Sequence, residues 1–143
     1  MPIDHIRDDF ELLDDWEDRY RYVMERGRAL PPLDDALRTD ANKVRGCASQ
    51  VWLASHVAAT TDGGGKTLVL AGDSDAHLVR GLVAIIIQLY EGLPLTEIAS
   101  LDAEAALATL GLKEHLTPQR SNGVASMIKR IRADAETALG RQA

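Results

Sequence analysis

The stretch from Ala76 to Tyr90 most constrains what this chain can fold into. Leu78, Val79, Leu82, Val83, Ile85, Ile86, Ile87 and Leu89 leave it little polar face, and a helix that is apolar nearly all round has to be surrounded by other elements. It is predicted to be a central buried helix. Asp73-Ser74-Asp75 offers N-cap chemistry ahead of it, and Gly92 before Pro94 ends it. At 143 residues with 45% hydrophobic content, the chain fits one ordinary domain over 1–143 with a real core.

The other elements are arranged around that helix. Ile6, Phe10, Leu13, Tyr20, Val23 and Met24 recur at mixed three- and four-residue spacings among acids and arginines, which predicts one amphipathic helix stopping near Gly27 ahead of Pro31-Pro32. Leu30 to Arg38 reads as a linker or short helical turn. Gln50 to Val57 and Lys66 to Ala71 are β-prone, with Asp62-Gly63-Gly64-Gly65 as the hairpin turn between them. No Gly-Lys-Ser/Thr ending follows those glycines, so a phosphate loop is a poor reading. A shorter helix is predicted from Asp102 through Ala103 to Leu110, stopped by Gly111, and Ser121-Asn122 is predicted to cap a last helix carrying Val124, Met127, Ile128, Ile131, Ala135 and Leu139. The order of elements gives an α+β domain with helices laid over one face of a small antiparallel sheet.

The formal charge of −6 argues against a nucleic-acid or anionic-membrane partner, either of which calls for a concentrated basic face; a protein partner is easier to accommodate. No apolar run approaches the roughly 20 residues of a membrane span, and the start Met1-Pro2-Ile3-Asp4-His5 is too polar for a secretory signal. A cytoplasmic protein is expected, and the single cysteine suits a reducing compartment.

That cysteine, Cys47, lies in Asn42-Lys43-Val44-Arg45-Gly46-Cys47-Ala48-Ser49-Gln50-Val51-Trp52-Leu53. One thiol makes no intramolecular disulfide and builds no metal cage, so any chemistry it does is that of a nucleophile or a carrier. The bland alternative is a buried, space-filling cysteine. Against it, Gly46, Ala48 and Ser49 are turn-like neighbours, and the charges of Lys43 and Arg45 favour a thiolate. His5, His56, His77 and His115 are the available bases, and none stands at a diagnostic spacing from Cys47. A bound metal is not expected from so scattered a ligand set. The run Asp8-Asp9, Glu11, Asp14-Asp15, Glu17-Asp18 reads as the solvated face of the first helix, or at lower weight as a docking surface.

The segment Asn42-x-Val44-x-Gly46-Cys47-x-Ser49-x-Val51-Trp52-Leu53 closely resembles the cysteine loop of SufE-type sulfur acceptors. Three further segments resemble that family in the same order: Arg28-Ala29-Leu30-Pro31-Pro32-Leu33; Ile87-x-Leu89-Tyr90-x-Gly92; and Leu110-Gly111-Leu112 through His115-Leu116-Thr117-Pro118-x-Arg120-Ser121-Asn122-Gly123 to Met127. One departure is Leu107-Ala108 before Thr109, where the family carries an aromatic-rich stretch, and Arg45 stands at a variable position. The resemblance implies a SufE/IscU-like sandwich and a carrier with no cofactor of its own, rather than an enzyme with stand-alone turnover. It implies that Cys47 accepts sulfur as a persulfide from a pyridoxal-phosphate cysteine desulfurase, that the protein stimulates that desulfurase, and that the sulfur goes on to an iron-sulfur cluster scaffold. Two other classes stay open on the residues alone, an autonomous thiol enzyme and an interaction module with a structural cysteine.

Overall fold

A computed structural model describes residues 3–46, 49–60 and 63–142. Among them are seven α-helices: α1 (Ile3–Glu11), α2 (Trp16–Ala29), α3 (His77–Tyr90), α4 (Leu95–Ser100), α5 (Ala103–Ala108), α6 (Leu112–His115) and α7 (Pro118–Gln142). A 3-10 turn covers Asp35–Leu37, and strands β1 (Val51–Ala59) and β2 (Lys66–Ser74) pair antiparallel from Val51↔Ser74 to Ala59↔Lys66. The fold is α+β, as the order of elements predicts.

The strongly apolar segment is the centre of the molecule. Val83, Ile85, Ile86, Leu89 and Tyr90 on α3 are essentially inaccessible to water, and the core they join includes Ile6, Val23, Leu53, Ile98, Met127 and Ile131 from five other elements. α3 and α7 cover one face of the hairpin. A Cβ on Gly72 of β2 would come within 2.8 Å of Val83 Cγ1, and Ser55 of β1 donates a hydrogen bond to Asp134 of α7 at 2.9 Å. Two-residue alternation sends Trp52 and its partner Asp73 to the opposite face.

On that face a buried charge organises the linker. Asp73, only 3% exposed at its side chain, accepts a hydrogen bond from Arg38 and lies 3.4 Å from Arg80 of α3. Arg38 also stacks over Trp52, its guanidinium carbon 5.1 Å from the ring centroid, while Arg80 donates to the Leu30 carbonyl at 2.8 Å. Residues 30–38 are thereby tied to both sheet and central helix. The residues expected to cap α3 therefore do other work: Asp73 pairs with arginines, Asp75 holds Gln50, and α3 begins after Ala76 with no side-chain cap. Replacing Asp73 with asparagine leaves Arg80 without its counter-charge and Arg38 with only the exposed Asp35, 3.5 Å away. An expected loss of about 2–3 kcal/mol, discounted from the fully buried case because both arginines reach water, is measurable by denaturant unfolding.

Two further expectations are corrected. The first predicted helix is two, because Asp15 breaks the run and caps α2 by accepting the Asp18 N–H at 2.8 Å. α2 stops close to Gly27, at Ala29 and ahead of Pro31-Pro32, as predicted; Gly27 itself lies inside the helix, where a Cβ would come within 2.7 Å of the Gly81 nitrogen on α3. α7 starts at Pro118, so Ser121 and Asn122 sit inside its first turns and not at its cap. The short helix α4 after Pro94 has no counterpart among the elements expected from the sequence. The hairpin stands, with Thr60 N–H donating to Gly65 at 3.0 Å and Gly63 at φ 72°, although Asp62 is outside the described residues.

Tyr90 ends α3 with a hydroxyl that is buried and has no hydrogen-bond partner among the described residues. Burial pushes its pKa up to about 12. An unpaired buried hydroxyl costs about 1–3 kcal/mol, so Tyr90→Phe is expected to stabilise the protein by about 1 kcal/mol. The unfolded phenol ionises near pH 10 and the folded one resists, so the wild type should lose stability as pH rises from about 10 through about 12, a loss Tyr90→Phe avoids. Thermal melts of both proteins at pH 8 and at pH 11 measure the difference.

Candidate functional site

Cys47 and Ala48 lie outside the described residues, and the site is built from what holds the chain on either side. Before Cys47, Val44 donates its N–H to the Val51 carbonyl and Leu53 donates to the Asn42 carbonyl, both at 2.8 Å, so 42–44 runs as a short third rung along β1. Val44 is buried in the core and Arg45 is exposed. Gly46 follows at φ 90°, a backbone region open to glycine and strained for other residues. A Cβ there would stand 2.7 Å from Ser126 Oγ, so the backbone of Gly46 passes directly against α7.

After Ala48, Gln50 is held by Asp75. Its N–H donates to Oδ1 at 3.0 Å and its side-chain amide donates to Oδ2 at 3.4 Å. The segment of interest is thus anchored at one end to β1 and at the other to the turn into α3. Close by, Ser49, Val79, Leu82, Arg120, Gly123 and Met127 surround a niche of about 20 Å³. That is room for one or two water-sized atoms, walled mostly by apolar groups with the exposed Arg120 at its edge.

The structure distributes the remaining candidates elsewhere. His5 faces Asp9 on α1 at 3.6 Å, His56 lies in the middle of β1 opposite Val69, His77 opens α3, and His115 stacks on Trp16 with ring centroids 3.7 Å apart. None of them lines the niche or holds the flanks of Cys47. Among the described residues no three His, Cys, Asp or Glu side chains are grouped to hold a metal ion. The acidic run is partly structural, since Asp15 caps α2 and Asp9 accepts a hydrogen bond from Tyr22. Burial, with Asp9 adding to it, raises the Tyr22 pKa well above that of a free phenol. Sequence reasoning missed Ser126 and Asp75 as neighbours of the loop. Ser126 carries no signal, being one polar residue on a long helix, whereas Asp75 is legible only as a helix cap.

An antiparallel hairpin under a central apolar helix, with a glycine turn held against α7, defines a small α+β protein whose single cysteine directly follows that glycine in sequence. A family model described as SufE, the Fe-S metabolism associated domain, matches residues 4–135. An uncharacterized SufE-like protein of Rhizobium etli is 56% identical over 134 residues, covering 94% of this chain and 89% of that one. Another from Rhizobium meliloti is 52% identical over 134 residues, 94% of each chain. The chain belongs to the SufE family. The solution structure of a hypothetical protein from Thermus thermophilus has the same fold, with a TM-score of 0.75 at 20% identity over 97% of this chain and 96% of that one. The family ties the chain to iron-sulfur metabolism. No helix among the described residues is long and apolar enough to cross a membrane.

Proposed function

We propose that this protein is a sulfur acceptor that takes persulfide sulfur onto Cys47 from a pyridoxal-phosphate cysteine desulfurase, stimulates that desulfurase and passes the sulfur to an iron-sulfur cluster scaffold, as one domain in the cytoplasm. The observation that supports it best is the anchoring of both flanks of the chain's single cysteine, beside an apolar niche of about 20 Å³, in a member of a family linked to iron-sulfur metabolism.

The transfer asks little of the acceptor. The Cys47 thiolate attacks the terminal sulfur of the donor's persulfide; the new S–S bond forms as the donor's S–S bond breaks, and the electron pair leaves with the donor's thiolate. No oxidant, metal or resident base is consumed. A histidine at the thiol is therefore not required, which is compatible with a niche whose lining includes no histidine. Arg45, two residues before Cys47, and Arg120, at the edge of the niche that Ser49 lines, are the cations assigned here to favour a thiolate.

Incubating the protein with a desulfurase and cysteine should add one sulfur atom at Cys47, read by mass spectrometry of the intact chain and its peptides. A mass gain of equal rate without the desulfurase, or none with it, rejects the reading. The niche supports a second expectation, that the resting thiol is sheltered. Iodoacetamide should label Cys47 about tenfold more slowly than a free cysteine peptide, and Asp75→Ala, which frees Gln50, should recover much of that rate. Labelling of the wild type at the peptide's rate removes the shelter.

A further inference from the structure

Beside the niche lies a much larger cavity, about 470 Å³, that the transfer chemistry does not use. Its floor is Leu82, Ile85 and Ile86 of α3; its walls include Leu112, Leu116 and Val124. Two of the residues that α5 contributes, Ala105 and Ala108, offer only methyl groups, which leaves the space between these walls open. The charged residues of its lining are Asp102 and Glu104, both acidic. Asp102 is engaged as the N-cap of α5, accepting the Ala105 N–H at 3.0 Å, whereas Glu104 is exposed and has no ion pair or hydrogen bond among the described residues.

We propose that this cavity is an anchor site for the sulfur donor, receiving a bulky apolar side chain that stands next to a lysine or arginine on the donor's surface. The inference rests on the sulfur-acceptor reading and adds where the donor is gripped. Charge selects the occupant: an apolar pocket rimmed by carboxylates favours an apolar group flanked by a cation and disfavours an acidic or plain hydrocarbon ligand. Position selects a protein. Leu82 lines both the cavity and the niche, and the first turns of α7 face both, with Arg120 and Gly123 toward the niche and Ser121, Asn122 and Val124 toward the cavity. A donor that covers Ser49 and Arg120 at the niche also reaches Ser121 and Asn122 at this cavity. A single side chain filling a preformed apolar pocket is the kind of contact that dominates interface affinity, while the chemistry takes place elsewhere.

The test uses the desulfurase that loads Cys47, with binding and transfer measured separately. Ala108→Phe fills the cavity with the protein's own ring. It is expected to weaken binding of that desulfurase at least tenfold, about 1.4 kcal/mol, while the rate of Cys47 persulfide formation at saturating desulfurase stays at the wild-type value. Its melting temperature, unchanged or raised, confirms that it folds. Glu104→Arg, at an exposed position, is the second variant and is expected to weaken binding about threefold and flatten its salt dependence. Binding by both variants within twofold of wild type, with normal persulfide loading, overturns the anchor site and leaves the acceptor reading intact. A wild-type protein that takes up no sulfur brings down both.

Discussion

Replacement of Cys47 with serine is expected to abolish persulfide formation while leaving the fold and the affinity for the desulfurase unchanged. Serine keeps the size of the side chain and removes the soft, polarisable nucleophile, and a hydroxyl has neither the low pKa nor the sulfur affinity to compete for a sulfane atom. Because this is the only cysteine in the chain, no neighbouring thiol can rescue transfer, so the effect is total and not graded. The measurement is the intact mass after exposure to desulfurase and cysteine, alongside the rate of sulfide release. Full stimulation of cysteine turnover by the serine variant would favour an interaction module in which the thiol is incidental. Sulfur turnover by the wild type in the absence of any desulfurase would favour an autonomous thiol enzyme.

The largest structural effect is expected at Gly81. A Cβ on this residue would stand 2.1 Å from the Val23 carbonyl oxygen and 2.7 Å from Val23 Cγ1, while a Cβ on Gly27 would meet the Gly81 nitrogen at 2.7 Å. The backbones of α2 and α3 are therefore in direct contact at two glycines, and a single methyl group has nowhere to go unless one helix moves. Gly81→Ala gains about 1 kcal/mol of intrinsic helix propensity and loses more to overpacking and displacement of the central helix. We expect a net loss of at least about 2–3 kcal/mol, roughly a 10 °C fall in melting temperature for a domain of this size. Gly140→Ala is the control. It lies on α7 with nothing within 4 Å of the added atom, so propensity acts alone and a gain of up to about 1 kcal/mol is expected. Equal effects at the two sites would mean that the close approach of α2 and α3 is not maintained in solution.

Much of the architecture is legible in the sequence because it follows from local pattern. The apolar run of α3, the β-prone runs on either side of a glycine cluster, and the glycines after α3 and α5 each encode their element through nearby residues, and Gly92 and Gly111 are found at φ 77° and 71°. The break at Asp15 is hidden because the apolar spacing continues across it and masks a capping residue. The start of α7 is obscured because the polar pair Ser121-Asn122 imitates a cap, although Pro118 is well suited to a first helical turn.

What the sequence determined by itself was the candidate segment: one cysteine directly after a glycine, within four ordered stretches that resemble the SufE family. Only the tertiary structure decided what that segment rests on. Asp75 holding Gln50, Ser126 against Gly46, Asp73 between Arg38 and Arg80, and Gly81 against Val23 are all contacts between residues distant in sequence. No periodicity announces them, because a helix cap, a surface serine, a solvated carboxylate and a helix-weakening glycine are locally indistinguishable from these partners. The large cavity has the same origin. Small side chains on α5 are ordinary in one dimension and become an opening only where α3, α6 and α7 converge around them.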